Sequence, residues 1–480
     1  MSTKKPSHKT TAAAVAAGAV PADEVMVSLY QAQKKIYPRS VKGLFAKWRW
    51  FFVYATQIFF YGMPWLQWGD RQAMLFDLEA RRFYIFGLVL YPQDVVYLAA
   101  ILIISALLLF LFTAVAGRQW CGYACPQTVY TEIYLWIEKK LEGDRSARMR
   151  LDAAPMSASK FTRKTLKQMA WIAVGLWTGF TFVGYFTPIR DLAVHVAQWT
   201  LGPWEIFWIF FYGFATYGNA GYMREQVCMY MCPYARFQSA MFDKDTLIVT
   251  YDAARGEPRG ARSRKTDHRA AGLGDCVDCT LCVQVCPTGI DIREGLQYEC
   301  ISCAACIDVC NDVMDKVGYP RGLIRYSTEN ALEKGWGSKE IWRQVMRPRV
   351  LVYSAILAAL CIALVASLFM RTPFRVDIVR DRATLARIVD GNKIENVYRV
   401  QIMNATEKPQ TYELSVAGMP GLELVTDKSV TIDGAQGLWV PVRLQLPYGG
   451  AQSGSHEIQF QVQSTESGRV NEKSVFLVPR

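Results

Sequence analysis

CVDCTLCVQVCPTGIDIREGLQYECISCAACIDVC, residues 276 to 310, holds eight cysteines in two copies of one pattern: Cys276, Cys279, Cys282 and Cys286, then Cys300, Cys303, Cys306 and Cys310. A cubane iron–sulfur cluster needs four thiolates converging on one small core. CxxCxxC delivers three of them from a single tight loop, and in two-cluster ferredoxins the last cysteine of each run serves the other cluster. The spacing therefore predicts one [4Fe-4S] cluster on Cys276, Cys279, Cys282 and Cys310 and a second on Cys300, Cys303, Cys306 and Cys286. Pro287 completes the usual ending of the first run, whereas Asn311 follows the second, so the two exits differ. Zinc sites usually pair two CxxC units without a third regularly placed thiol. Disulfides need an oxidising compartment, and the loop charges place this segment on the cytoplasmic side.

The chain has 480 residues, too many for one ordinary domain. Its mean hydropathy is only +0.08 and its net charge +12, because the apolar residues are concentrated. Crossing about 30 Å of hydrocarbon takes about 20 apolar residues. Five stretches qualify: Trp48 to Trp68, Val95 to Ala116, Met169 to Phe186, Trp204 to Tyr222 and Val350 to Met370. The fifth reads VLVYSAILAALCIALVASLFM without a charge; the third and fourth are rich in Trp, Gly and Tyr. The expected fold is a multi-domain membrane protein. It comprises an N-terminal tail over 1–47, four α-helical transmembrane spans over 48–242, a two-[4Fe-4S] bacterial-ferredoxin-like domain over 243–349, a fifth transmembrane span over 350–370 and a C-terminal all-β domain over 371–480.

Orientation follows from the Lys and Arg bias of the loops. The tail carries Lys4, Lys5, Lys9, Lys34, Lys35, Arg39, Lys42 and Lys47, and ten basic residues lie between Arg118 and Lys167. The loop between the third and fourth spans has only Arg190; in that between the first two, Arg71, Arg81 and Arg82 are offset by Asp70, Asp77 and Glu79. The bias predicts a multi-pass protein of the bacterial inner membrane, with tail and ferredoxin-like domain cytoplasmic and the C-terminal domain periplasmic. The Ala-rich residues 11–20 lack the Leu core of a secretory signal and are expected to be a flexible tail.

From Phe374 onward, short alternating runs such as VYRVQI (397–402), YELSVA (412–417), LWVPVRLQL (438–446), HEIQFQVQ (456–463) and KSVFLV (473–478) are separated by turn residues. Period two with regular turns predicts an immunoglobulin-like β-sandwich. It has no cysteine and a single histidine, so a docking or folding-support role is expected of it.

A second cysteine system follows the second and fourth spans. Cys121 to Pro126 reads CGYACP and Cys228 to Pro233 reads CMYMCP; each is preceded by a basic residue, Arg118 or Arg224, and each has Tyr, Tyr123 or Tyr230, two residues after the first cysteine. The first four spans thus look like two similar halves. On a helix, i and i+4 share a face, and the proline is expected to end or kink the turn. Two thiolates, or four from both halves, suit Cu(I), zinc or a third cluster, and the added thioethers of Met229 and Met231 favour Cu(I). The plain alternative is small buried residues with methionine filler. Cys361, alone in the fifth span, is expected to be such a small apolar residue.

Val129, Ile133, Trp136, Ile137 and Leu141, with Glu132, Glu138, Lys139 and Lys140 between them, predict an amphipathic helix lying on the cytoplasmic membrane surface. The run Arg255, Arg259, Arg262, Arg264, Lys265, Arg269 is expected to be a solvated linker near anionic lipid. No aromatic platform accompanies it, which argues against nucleic-acid binding. The four histidines, His8, His195, His268 and His456, all lie outside the spans, so an intramembrane haem held by two histidines is excluded. No GxGxxG opens a nucleotide fold, and electrons are expected from an unidentified carrier.

Taken in order, five spans, paired CxxxCP motifs after the second and fourth, a two-cluster insert and an external β-sandwich resemble the FixG/CcoG (RdxA)-type accessory proteins of bacterial cbb3-type cytochrome oxidase assembly, over nearly the whole chain. The resemblance implies a membrane-bound polyferredoxin acting as a cupric reductase, which turns Cu(II) into Cu(I) for delivery through a copper-exporting ATPase and copper chaperones. It places the copper role on Cys121, Cys125, Cys228 and Cys232, either within one chain or shared across a homodimer. The missing proline after Cys310 is the one local departure from the ferredoxin pattern. Two other functions fit the same parts: a quinol-linked membrane ferredoxin passing electrons to a respiratory reductase, and a non-enzymatic assembly scaffold.

Overall fold

Each of the five apolar stretches contains a helix: Leu44–Gly62, Val95–Ala116, Ala158–Val183, Pro203–Thr216 and Pro348–Phe369. The structure is a computed structural model that describes residues 35–263, 269–381, 386–389, 391–464 and 468–479. The Ala-rich segment, Lys4, Lys5, His8, Lys9, Lys34, Arg264, Lys265 and His268 lie outside the described residues.

Among the described residues two helices, Pro92–Ala116 and Pro348–Phe369, are long and apolar enough to cross a membrane, and 6% of each apolar window is buried inside the protein. The other three differ from their predicted bounds for local reasons. The first ends at Gly62 because Pro64 opens a tighter turn over Met63–Trp65. The third starts eleven residues early, at Ala158, through the charged turn of Lys160, Arg163, Lys164 and Lys167. The fourth is α-helical only to Thr216 and then widens into a π-helical turn, Tyr217–Met223. Glycines bring the third and fourth helices close: a Cβ on Gly179 would stand 2.1 Å from the Ile209 carbonyl oxygen, and one on Gly175 2.7 Å from that of Gly213. Small residues at such crossings let backbones approach.

The insert folds around a two-stranded antiparallel ribbon, Ile248–Tyr251 with Ile324–Ser327, covered by the helices Leu281–Val285 and Ala305–Val317. Val249, Ile292, Ile307, Met314, Leu323 and Ile324 form its buried core around the cysteines. Asn311 explains its own departure from the ferredoxin pattern. The second run does not turn after Cys310; it continues in helix to Val317, and Asn311 Oδ1 accepts a hydrogen bond from Gly322 N at 3.0 Å. Proline there would sit inside a helix.

The C-terminal region is a sandwich of two antiparallel sheets. One carries Phe374–Arg380, Arg387–Val389, Lys393–Asn404, Glu423–Leu424 and Gly437–Pro447; the other carries Gln410–Ala417, Ser429–Ile432, Gly454–Ser464 and Gly468–Val478. Between them lie Phe374, Tyr398, Val400, Tyr412, Leu444 and Phe460, all buried. All five predicted alternating runs fall within its long strands.

The sandwich does not hang from the last helix alone. The loop after the first helix forms a small sheet, Met74–Asp77, Arg82–Ile85 and Leu88–Leu90, whose Leu75, Tyr84 and Val89 pack with Tyr91 against Met403. Tyr91 Oη donates to Asn404 O at 2.9 Å, and Asp94, 3% exposed, accepts from Arg371 at 2.5 Å and Arg375 at 2.9 Å. In the sequence this loop showed only a weak charge balance.

Two expectations need correcting. The helix Pro126–Glu142 forms with Trp136, Lys139 and Lys140 exposed, but Glu138, expected among its solvent-facing charges, is buried, as is Glu142. Glu138 pairs with Arg148 and with Arg224 (2.7 Å), and Glu142 with Lys164 (2.9 Å) and Lys167 (3.0 Å). Burial alone would raise the Glu138 carboxyl, but Arg224, Arg148 and Lys167 outweigh it and hold the group below the usual carboxylate range. Periodicity counts charges as solvent-facing and cannot see cations arriving from other helices. The basic run is likewise not simply solvated, for Arg255 pairs with Asp275 at 2.5 Å and Arg262 stacks on the Tyr319 ring at 5.3 Å, both gripping the ferredoxin-like loop.

Asp94→Ala strands two arginines beside a buried gap and should loosen sandwich docking by about 3–5 kcal/mol; limited proteolysis should then release the region after Met370 far faster than in wild type. Asn311→Pro, which removes a helical N–H and clashes with the preceding turn, should cost about 3 kcal/mol, read as a lower unfolding midpoint of the insert.

Candidate functional site

Two enclosed cavities lie in the insert. Cys276, Cys279, Cys282 and Cys310 line one, with Leu281, Val309, Met314, Leu323 and Ile324 as apolar wall. Cys286, Cys300, Cys303 and Cys306 line the other, with Val249, Ile290, Ile292 and Ala304; Cys282 borders it too. The structure thus brings together both quartets that the spacing predicts, including the exchange of the fourth cysteine.

The loops repeat at the level of the backbone. Asp278 and Thr280 flank Cys279 at φ 52° and 55°, and Ser302 and Ala304 flank Cys303 at φ 54° and 57°. Left-handed residues without a glycine are costly and persist where they aim consecutive N–H groups into an anion-binding concavity, as at iron–sulfur sites. All thirteen cysteines are free thiols. Burial pushes Cys300 and Cys310 up to about 12, and each also feels the charges of its own quartet: Cys303 and Cys286 for the former, Cys282, Cys276 and Cys279 for the latter. Four like charges in an apolar chamber require a polycation. The chambers fit [4Fe-4S] clusters in donor set, wall and backbone.

The CxxxCP motifs are built differently from the expected helix face. Cys121 sits in the short helix Gln119–Tyr123 and Cys228 in the π turn Val227–Met231, while Cys125 and Cys232 are extended. Pro126 and Pro233 do not end a helix; each opens one, Pro126–Glu142 and Pro233–Met241. At a first helical position the missing N–H costs nothing and the fixed φ is already helical. The two halves nevertheless converge. Burial raises Cys121, Cys125 and Cys228, the last to about 12, and Cys125 and Cys121 then raise Cys228 further; Cys232 acts on all three.

Surrounding groups fix the first motif. Arg118, buried, donates from Nε to Gln238 Oε1 at 3.0 Å and from Nη1 to Tyr298 O, and the Cys121 thiol points at the same Gln238 oxygen at 3.4 Å. Met229 is half-buried, while Tyr230 and Met231 are 62% and 56% exposed. Cys361 lines neither chamber. Among the described residues no three His, Cys, Asp or Glu side chains close around a single ion. The ferredoxin-like quartets surround a wider body, and the CxxxCP thiols stand as neighbours around no preformed ion cage.

The two sulfur systems touch through backbone. A Cβ on Gly122 would lie 2.7 Å from Ile301 O and 2.8 Å from both Cys303 N and Cys303 Cα. Arg49 Nη1 donates to Cys303 O at 2.8 Å, Tyr326 Oη donates to Ser302 O at 2.6 Å, and the Tyr123 and Tyr326 hydroxyls meet at 3.2 Å. Arg49, Gln238 and Tyr326 carry no motif signal in the sequence. Gly122 carries one: the matching position of the second motif is Met229, whose side chain so close a backbone approach would not admit.

Family models match three regions: a 4Fe-4S dicluster domain over residues 223–329, a 4Fe-4S binding domain over 98–143, and an Ig-like fold at the C-terminus of FixG over 364–479. The first takes in Cys228 and Cys232 with the eight ferredoxin-like cysteines, and the second takes in Cys121 and Cys125. The nitrogen fixation protein FixG of Rhizobium meliloti is 38% identical over 462 residues, covering 90% of this chain and 88% of that protein. RdxA of Cereibacter sphaeroides is 40% identical over 86% of this chain and 87% of its own length, and RdxB of the same organism 40% identical over 83% and 85%.

Gly122→Ala should force the CGYACP turn away from the Cys303 loop. The expected result is a changed EPR line shape or lowered iron content, with the equivalent Met229→Ala leaving both unchanged.

Proposed function

The chain belongs to the FixG/RdxA family of iron–sulfur electron-transfer proteins, and within it we propose that the chain is a membrane-bound cupric reductase supplying Cu(I) for cbb3-type oxidase assembly. The observation that carries this is the backbone contact of Gly122 with Cys303, which seats the Cys121 and Cys125 motif beside the second cluster chamber, with Cys228 and Cys232 close enough to feel its thiols. The clusters, when bound on Cys276, Cys279, Cys282 and Cys310 and on Cys300, Cys303, Cys306 and Cys286, supply one-electron carriers.

Cu(II) is the substrate and gains one electron. Cys121, Cys125, Cys228 and Cys232 hold it and retain the softer product, since thiolates select Cu(I). Met231, exposed at the edge of the quartet, and Met229 offer thioethers for its handover. Arg118 and Gln238 orient the Cys121 thiol, and Arg49 ties the Cys303 loop to the first helix. Cys121, Cys125 and Cys228, whose thiols burial raises, release their protons as copper binds; the electron step itself moves none. The reading takes all four thiols from one chain, where Cys228 feels Cys121, Cys125 and Cys232.

The same proposal sets the chain in a bacterial inner membrane through five helices. Exposed Trp48, Phe51, Ile58 and Phe59 on the first, and Trp204, Phe207, Phe211 and Phe214 on the fourth, add apolar surface to that of the helices Pro92–Ala116 and Pro348–Phe369. The insert then faces the cytoplasm and the sandwich the periplasm, with a copper-exporting ATPase and chaperones taking the product.

Changing Cys121, Cys125, Cys228 and Cys232 together to Ser should lower Cu(II) reduction by dithionite-charged protein at least tenfold, while iron and sulfide stay at two clusters per chain. Equal rates in variant and wild type would defeat the assignment.

A further inference from the structure

Arg118 stands where three parts of the protein meet. It lies on the turn that leads into Cys121. Its Nε donates at 3.0 Å to Gln238, on the helix that Pro233 opens after the second CxxxCP motif, and its Nη1 donates to the carbonyl of Tyr298, on the loop that leads into Cys300. The Cys121 thiol points at the same Gln238 oxygen. Arg118 is 2% exposed, and both of its acceptors are neutral. Of the arginines buried among the described residues, the others are paired: Arg49 with Glu132, and Arg148 and Arg224 with Glu138. No carboxylate among the described residues forms an ion pair with Arg118.

A buried charge is costly unless a counter-charge meets it. The groups that feel Arg118 include Cys300 of the second quartet on one side and Cys121 and Cys228 on the other. The first chamber also has an arginine in its wall, Arg293, but Asp291 at 2.7 Å and Asp278 at 2.5 Å already cancel that charge. We infer that Arg118 is the counter-charge of the second cluster and draws the electron onto it from the first, an inference that rests on the cluster assignment of the two chambers. One electron leaves the first quartet's cluster and joins the second's, which becomes one charge more negative beside an unneutralised cation. Cluster potentials follow net charge, hydrogen bonding and solvent exposure, so the second cluster is the easier of the two to reduce. The gradient runs inward, away from the exposed Cys279 of the first quartet and toward the turn that carries Cys121.

The test is an EPR-monitored redox titration of the full chain in lipid nanodiscs, with dithionite as reductant and no copper present. Cys279→Ser and Cys300→Ser, each replacing one ligand, assign the two reduction steps to their chambers. Arg118→Gln should disfavour reduction of the second cluster at least tenfold, a fall in its midpoint of about 59 mV for one electron, with the first cluster unmoved and iron content unchanged. Arg118→Lys, which keeps the charge, should restore most of the difference. Should Arg118→Gln lose iron, Gln238→Glu decides: it keeps the arginine, sets a carboxylate against Nε and should lower the same midpoint. An unchanged second midpoint in the informative variant, an equal shift of both clusters, or an Arg118→Lys protein shifted as far as Arg118→Gln would each overturn the inference, the last because it marks a role in shape alone. Iron and sulfide counts test the cluster assignment separately, and with no copper in the titration a failure of the copper assignment leaves its result standing.

Discussion

The closest approach of one sulfur system to the other depends on a glycine having no side chain. At Gly122 a methyl group would lie within 2.8 Å of the Cys303 backbone, closer than non-bonded carbon tolerates. The absence lets the CGYACP turn lie directly on the loop that supplies three cysteines to the second chamber. Arg49, Tyr123 and Tyr326 then lock that loop from the other directions with hydrogen bonds to Cys303 O and Ser302 O and between the two hydroxyls.

Buried ion pairs set the frame around that contact. On the cluster side Glu138 and Glu142 draw in Arg148, Arg224, Lys164 and Lys167 from the following segments. On the sandwich side Asp94 draws in Arg371 and Arg375. Well-packed apolar residues can be as stabilising as such pairs, whereas loss of one partner is severe. Their value here is positional. Each buried carboxylate gathers cations from two positions of the chain, so segments distant in sequence are held against one helix.

The motifs were legible where chemistry demands a fixed local spacing. CxxCxxC fixed the two quartets, and the structure groups the same cysteines around the same cavities. Alternating runs fixed the strands of the sandwich, because a strand with one buried face has no other pattern available. Legibility failed where one residue type serves two physical ends. Glu138 between apolar neighbours reads as the wet face of a helix until Arg148 and Arg224 are seen against it. The proline of CxxxCP reads as a terminator, although in both motifs it starts the next helix. Asn311 reads as a missing turn, although it lies within a continuing helix.

The sequence by itself determined the ligand sets, the order of the parts, the apolar stretches and the β-sandwich, because each is written in spacing or periodicity over a few tens of residues. Tertiary structure alone decided that the four CxxxCP thiols come from both halves into one neighbourhood, that the half with glycine lies on the cluster loop at backbone distance, and that Cys303 faces a further cavity walled by Trp50 and Trp136. Those facts depend on contacts between residues a hundred or more positions apart. Distance along the chain carries no signal of such meetings; packing, charge pairing and the room left by one missing methyl group create them.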